Sequence, residues 1–532
     1  MSYPTPSTSS LQSTETISRG PICSESQQQS STVSIHILDD DSLLNIFYLY
    51  RPAVIFDEKE NQEENDSDND HDDHDSEEGD RNYRRARVPE VPERWWYKLA
   101  QVCQRWRRII LGSASYLQLY LVCTYGTPVA DMLAHSPPLP LIIDFFRARE
   151  ITTEDEEGIL LALEQRDRVR CVRLLITDPN LGNLIMTIDE EYPILEYLII
   201  TLWVQTLEGD MDLMLPAILQ APHLRHLILK GFVLPIGSRL LATAVGLVTL
   251  TFYMEYPSAY FEPDTLLQRI SFMPQLETLH VVLPHHDVER QLVHTPIMTR
   301  RVTLPYLHRL VLEGVSNYIE AIVCQISTPL LEALDIRLFP QHTFFVPGLV
   351  QFVNTTENLK FDCAKLKFSG GGVSVDLYPH TEAKTHSLFI YVDGGNIGWQ
   401  VSSMAQIFNS PYQIFSTVKH LALEHRVYRW SERWYNVVDR TRWRELLRLF
   451  SNVKTLHVDD EFVEELSHTL RPDDGELALE PLPGLQELTY YRKLRSGDTS
   501  DAFTSFIDAR QNTGRPVTLV RSNPRCDPEL WW

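Results

Sequence analysis

Pro222-His223-Leu224-Arg225-His226-Leu227 is one copy of a phrase that decides the fold, because the chain keeps returning to it. The same pattern, a proline or small residue followed by L-x-x-L, stands at 193–198, 274–279, 305–310, 329–334 and 483–488. Weaker copies lie at 245–250, 417–421 and 452–456. The first leucines at 195, 224, 247, 276, 307 and 331 are 29, 23, 29, 31 and 24 residues apart, and later units step by 35 and 32. A step of that size holds one strand, one helix and their turns. Such a unit has an apolar edge it cannot bury alone, and stacking the next unit covers it. The two leucines of each phrase should therefore point inward, with the polar residues between them facing out along a parallel sheet. An ordinary α/β domain with a proline before some strands would explain one or two copies, but not nine at near-constant spacing.

The expected fold class is thus α/β, a leucine-rich-repeat-like solenoid of parallel strands plus helices filling 116–532. Around 361–402 the period degrades, and Ser369 to Gly372 and Asp393 to Asn396 read as tight turns between strands. We expect an irregular unit there, with antiparallel hairpins. The C-terminal Trp531-Trp532 pair is suited to fold back over the last repeat, since an open solenoid end exposes apolar surface.

Upstream of the array the composition changes three times. Residues 1–33 are rich in Ser, Thr and Gln, lack the basic start and apolar stretch of a secretory signal, and read as a disordered tail. In 34–56, Leu38, Leu43, Leu44, Ile46 and Phe47 fall close to one helical face, with Asp39 to Asp41 as N-cap and first turn. Residues 57–93 are acidic and then basic, with almost nothing to bury. Beyond them Trp95, Leu99, Val102, Trp106, Ile109 and Ile110 recur at helical steps, with Lys98, Gln101, Arg105 and Arg107 free to face water. The spacing predicts one second helix.

These two segments carry a family resemblance. Leu38-Asp39-Asp40-Asp41-Ser42-Leu43-Leu44-Asn45-Ile46-Phe47 resembles the opening of the F-box motif. Leu99-Ala100-Gln101-Val102-Cys103-Gln104-Arg105-Trp106 and the residues to Ile110 resemble its close. The motif covers about a tenth of the chain, and the architecture resembles the large fungal set of F-box proteins with leucine-rich-repeat tails, whose first repeat units the stretch from Tyr116 through Asp144 also resembles. The 34–115 module then reads as F-box-like, interrupted by a disordered acidic insertion at 57–93. Two departures are visible: Asp39 stands where the family has proline, and the acidic run replaces a short connection. A long surface loop costs little in closure entropy, about 0.6 kcal/mol per doubling of its length.

The resemblance implies a non-catalytic substrate-recognition subunit of a Skp/cullin/F-box ubiquitin ligase. The adaptor-binding residues carried over from the family are Leu38, Leu43, Leu44, Ile46, Phe47, Val102, Cys103 and Trp106, and the expected partners are a Skp-type adaptor, a cullin through it, and a protein target. The residue pattern alone reads these side chains as apolar groups with nothing else in the module to bury them, or as its internal core. A repeat-based interaction scaffold not coupled to a ligase is the alternative. Target contacts should lie on the solvent side of the strands and nearby loops, with His223, Arg225, His226, Glu277, His280, His308, Arg309 and Asp335 as candidates.

Other chemistry is disfavoured. The net charge is −24, and Asp57 to Asp80 hold fourteen acidic residues against one lysine, so bulk binding to nucleic acid or an anionic membrane is opposed by repulsion. No run of eighteen apolar residues marks a transmembrane helix. Seven scattered cysteines without a CxxC pair fit reduced thiols, and a cytoplasmic or nuclear location is expected. P-loop, H-E-x-x-H and G-x-S-x-G patterns are absent, Gly370 to Gly372 read as a turn, and no enzyme activity or cofactor is expected. Asp66, Asp68, Asp70, Asp72 and Glu77 copy calcium-loop spacing, but His71 stands at the required glycine, so no metal is expected from them or from His71 and His74. Arg81, Arg84, Arg85 and Arg87 can neutralise the acidic run, and the tryptophans of Arg94-Trp95-Trp96-Tyr97-Lys98 fit the apolar face of the second helix better than a base-stacking platform.

Overall fold

One apolar side chain per strand, repeated at a fixed register, builds the main sheet. The computed structural model describes residues 35–51, 95–147, 150–177, 182–202, 214–235, 237–253, 261–283, 301–380, 387–409, 414–426, 440–471, 481–490 and 502–521. The tail 1–33, the 57–93 insertion with its acidic and arginine-rich stretches, Arg94 and the Trp531-Trp532 pair lie outside these residues.

Three helices come first: α1 (Asp40–Tyr50), α2 (Trp95–Ala100) and α3 (Gln104–Gly112). Strands and helices then alternate: β1 (Leu121–Cys123), α4 (Val129–His135), β2 (Leu141–Phe145), α5 (Thr153–Leu163), β3 (Val169–Ile176), α6 (Gly182–Met186) and β4 (Tyr197–Leu202). They continue with β5 (His226–Lys230), α7 (Arg239–Thr243), β6 (Thr249–Tyr253), α8 (Pro263–Ile270), β7 (Thr278–Val282), β8 (Val302–Thr303), β9 (Arg309–Gly314), α9 (Ser316–Val323), β10 (Ile326–Ser327), β11 (Ala333–Leu338) and α10 (Pro347–Thr355). After three consecutive strands, β12 (Cys363–Ser369), β13 (Gly372–Tyr378) and β14 (Leu388–Asp393), come α11 (Ile397–Phe408), β15 (His420–Arg426), α12 (Arg440–Arg448), β16 (Thr455–Val458), α13 (Asp460–Leu470), β17 (Glu487–Tyr490), α14 (Thr504–Asn512) and β18 (Thr518–Arg521). Among the described residues, sixteen strands form one sheet, and β8 and β10 pair separately.

The phrase and the strand coincide. In all nine copies the strand begins one residue ahead of the second leucine. Neighbouring strands are in register at that leucine, so Leu198, Leu227, Leu250, Leu279, Leu310 and Leu334 form a continuous row. The row continues through Leu388, Leu377, Ala364, Leu421, Leu456 and Leu488. All of these are buried, as are the first leucines Leu195, Leu224, Leu247, Leu276, Leu307 and Leu331. A one-residue slip would turn the whole row to the other face, so burial fixes the register. The helices pack on this side, α5 against β1 and β2, α9 against β9, α11 against β12 and β13, and α13 against β15. The opposite face is therefore the open one among the described elements.

The irregular unit is a reversal of strand order. The sheet runs β11-β14-β13-β12-β15, so after β11 the chain passes over two places, lays down β12, and fills backwards. β13 is antiparallel to both of its neighbours, whereas β12 and β14 keep the direction of the array. Gly372 makes the first turn possible, because a Cβ there would lie 2.3 Å from the Val392 carbonyl oxygen. The expected turn at Asp393 to Asn396 is present but joins a strand to a helix: Asn396 caps α11 by accepting from the Trp399 N–H at 3.0 Å. The fully buried Gln400 holds both turns, its Nε2 donating to the carbonyls of Ser369 at 2.8 Å and Gly395 at 3.0 Å.

Candidate functional site

At the N-terminal end, Asp39 accepts from the Ser42 N–H at 2.6 Å and caps α1, with Asp40 and Asp41 in the first turn. Arg105 of α3 donates to Asp40 at 2.8 Å and to the Leu38 carbonyl at 2.6 Å, locking the two helices together. Phe47 and Trp106 meet edge to face at 4.9 Å. The expected single second helix is instead two. It breaks at Gln101 and Val102, and Cys103 restarts it as N-cap of α3, its Sγ accepting from the Trp106 N–H at 3.5 Å. Arg107 makes the break tolerable by donating to the Ala100 carbonyl at 3.1 Å, one of the acceptors that the end of α2 leaves unpaired.

This packing sorts the eight expected adaptor-facing residues. Leu43 and Phe47 are fully buried, the internal-core role that the residue pattern also allowed them: the i, i+4 stripe they form is covered by α3. Leu38, Leu44 and Trp106 are partly buried against the same core, and Cys103 is half-buried in its capping role. Ile46 and Val102 are exposed. Ile37, Leu49 and Tyr50, which the motif did not point to, are exposed as well, Leu49 at 82%. Trp95 and Trp96 are buried, and the Trp96 Nε1 donates to the Tyr120 carbonyl at 3.2 Å just ahead of β1. The helices and the array share one apolar core running from Leu43 to Val517.

On the open sheet face, outward side chains stand one and three residues past the second leucine. The first row holds Asp144, Arg173, Thr251, His280, Asp335, Phe389, Asp376, Lys365 and His457, and the second holds Lys230, Tyr253, Glu313, Arg337, Tyr391, Lys367 and Glu424. Charges there are mostly matched across strands: Arg173 with Asp144 at 3.3 Å, Lys365 with Glu424 at 2.9 Å and Lys367 with Asp376 at 2.6 Å. Arg337 lies 3.6 Å from Asp335 and over the Phe389 ring, and Lys230 lies over Tyr253. Burial raises the Glu313 carboxyl above the usual range, Arg337 opposes it, and nearby Asp335 and Asp393 push the same way as burial.

The eight expected target contacts divide between this face and its rim. His226, His280, Arg309 and Asp335 lie on the sheet face, whereas His223, Arg225, Glu277 and His308 stand ahead of the strands. His226 stacks flat on Tyr197 at 4.5 Å, and its pKa falls to about 4, burial being the larger cause and Arg225 the smaller. His280 is pushed down to about 3, first by burial and then by Arg337 and Arg309. Both are neutral side chains built into the face at neutral pH. Glu313, Arg337, Phe389 and Tyr391 were missed, although the offset of three from the second leucine marks Glu313 and Arg337 directly.

Near the start of β12, Cys363 lies 3.8 Å from His380 Nδ1, and His380 stacks on His420 at 5.0 Å. The Cys363 thiol is pushed up to about 12, chiefly by burial and then by Asp362, which makes it a poor nucleophile. Among the described residues no group of three His, Cys, Asp or Glu side chains is placed to hold a metal ion, and no helix is long and apolar enough to cross a membrane.

No family model matches the chain, and no curated protein matches it. Among solved structures, the chain is similar to the crystal structure of a TLR13–ssRNA13 complex, with 13% sequence identity, a TM-score of 0.28, and coverage of 76% of this chain and 49% of that one. The chain thus spans about half the length of that neighbour.

Proposed function

We propose that the chain is the substrate-recognition subunit of a Skp/cullin/F-box ubiquitin ligase, holding an adaptor on its N-terminal helices and a protein target on the open face of its array. The observation that carries this reading is the apolar surface of the N-terminal helices. Ile46, Leu49, Tyr50 and Val102 stand in solvent there, while Leu43 and Phe47 use the other side of α1 to bind it to α3. Large exposed apolar side chains gathered on one small module mark a protein-docking surface. The array supports the second half of the reading. Its open face presents aromatic and charged groups that neighbouring strands already hold in place, and such preorganisation lowers the entropy cost of binding a partner.

Asp39 favours a second reading, a repeat scaffold without ligase coupling. A helix-capping carboxylate stands where the F-box pattern has proline. Co-purification with a Skp-type adaptor separates the two. Wild type is compared with Leu49→Asp/Val102→Asp, both exposed positions at which substitution should change stability by less than about 0.5 kcal/mol each. Adaptor retained by wild type and lost by the variant supports the ligase reading. Adaptor held equally by both moves the docking surface elsewhere, and no adaptor on intact wild type leaves the scaffold.

A further inference from the structure

The backbone at the leading ends of the strands, inside β3 at Arg170 and just ahead of the others, forms a second ladder along the rim. Arg170, Glu196, Arg225, Val248, Glu277, His308 and Glu332 are linked in turn, each N–H donating to the preceding residue's carbonyl at 2.8–2.9 Å. Farther along, Asp362, Lys419, Lys454 and Gln486 are linked in the same way at 2.7–2.8 Å. Side chains at these positions are rim neighbours one strand apart, about 4.8 Å. The first stretch avoids adjacent like charges. Arg170 pairs with Glu196 at 2.9 Å, and His308 lies 3.6 Å from Glu332.

Lys419 and Lys454 break that rule as two adjacent cations, an arrangement that repels when nothing lies between them. Lys419 shares Asp362 at 3.5 Å, and Lys454 has no acidic partner among the described residues. The break falls in a groove of about 590 Å³, lined by both lysines with Asp362, Ser416, Asn452 and Gln486. Its volume is in the range of ordinary ligand sites. Gly484 also lines it, packed closely on the neighbouring loop, where a Cβ would come 3.2 Å from the Val453 carbonyl. Asn452 is held by donating to the Ser416 carbonyl at 2.7 Å.

We propose that this groove is an anion subsite, taking a carboxylate or phosphate group on an acidic segment of a protein partner. Two ammonium groups and adjacent amide and hydroxyl donors suit such a group, and its negative charge removes the repulsion between the lysines. The overall charge of −24 opposes non-specific attraction of a polyanion, so any such binding is local. The inference rests on the reading of the array as a target-binding surface and adds the chemistry of one contact.

The test is a binding titration of the full chain with a hexaglutamate peptide, wild type against Lys419→Gln/Lys454→Gln, with inorganic phosphate as competitor. Both lysines are exposed, so the double variant is expected to fold as wild type does. The expected result is at least tenfold weaker peptide binding in the variant. Displacement by phosphate assigns the phosphate form, and failure to displace assigns the carboxylate. Equal binding by wild type and variant, or no binding of either probe to wild type, overturns the proposal. Adaptor co-purification is run on the same variant. It uses the N-terminal helices, so its outcome separates failure of the ligase reading from failure of this groove.

Discussion

Glu320 should stabilise a helix that is not its own. It sits in α9, and its carboxylate accepts from the N–H groups of Gly348 and Leu349, both at 2.7 Å, in the first turn of α10. The residue at the cap of α10 is Val346, which has no side-chain acceptor, so Glu320 supplies the missing cap from the neighbouring repeat. Gly348 lets it approach, because a Cβ there would lie 2.7 Å from the carboxylate and 2.3 Å from Cys324 Sγ. Loss of a cap costs about 0.5–2 kcal/mol and loss of the charge at a helix N-terminus about 0.3–1 kcal/mol. Burial works against the charged form and raises the Glu320 carboxyl despite the two hydrogen bonds. The net cost of Glu320→Ala is then about 1–2 kcal/mol, and that of Glu320→Gln, which keeps one acceptor, is smaller. A long repeat array need not unfold in one step, so the readout should be local. Hydrogen exchange of the α10 amides should quicken by roughly 5- to 30-fold in Glu320→Ala. Because the folded carboxyl binds its proton more tightly than the unfolded one, Glu320 makes wild-type stability fall as pH rises from its unfolded value near 4.5 through the folded pKa. That slope should be absent from both variants. Unchanged α10 exchange in Glu320→Ala would refute the cap.

Two further predictions use titrating groups of opposite sign. Asp459 accepts from the His425 N–H at 2.8 Å, yet its pKa rises to about 6, through burial first and then Glu424 and Glu461. Folding thus favours its protonated form, and stability is lost as pH climbs from about 4 to 6. Asp459→Asn should gain about 1–3 kcal/mol at pH 7.5 and almost nothing at pH 4, read locally from hydrogen exchange of the β15 and β16 amides, and an equal effect at both would sink the argument. His280 is depressed to about 3, so its contribution is complete above pH 6.5 and drains away as pH falls through that value. Replacing it with Asn should flatten the acid limb of a thermal-stability profile, and an unaltered limb would count against burial as the cause.

The leucines made the strands legible because each phrase marks both the inward face and the starting point of a strand, and Leu198 through Leu334 fell into one row as that pattern demands. The disturbance around 361–402 was also visible, as a loss of period. Its content was not. Nothing local in Cys363 to Tyr378 says that β12 pairs with β15 rather than with β11, since pairing of distant strands depends on which edge is free when they meet. The helix break at Val102 was hidden for a different reason. Apolar spacing continues through it, and the break rests on two single local hydrogen bonds, the Cys103 cap and the Arg107 bond to Ala100, which no apolar pattern records. On the open face, histidines drew attention for their chemistry, whereas Glu313 and Arg337 needed only the offset from Leu310 and Leu334 to be counted.

The reversed trio also bears on synthesis. β9 gains its next neighbour, β11, after a connection from Gly314 to Ala333, but the far edge of β11 waits from Leu338 until Leu388 begins β14. At about 5–20 residues per second, those fifty residues keep an unpaired parallel edge open on the ribosome for roughly 3–10 seconds. An uncovered edge invites pairing with another chain. The nascent protein is therefore most vulnerable to aggregation halfway through the array, and a chaperone or a translational slowdown would have most effect there.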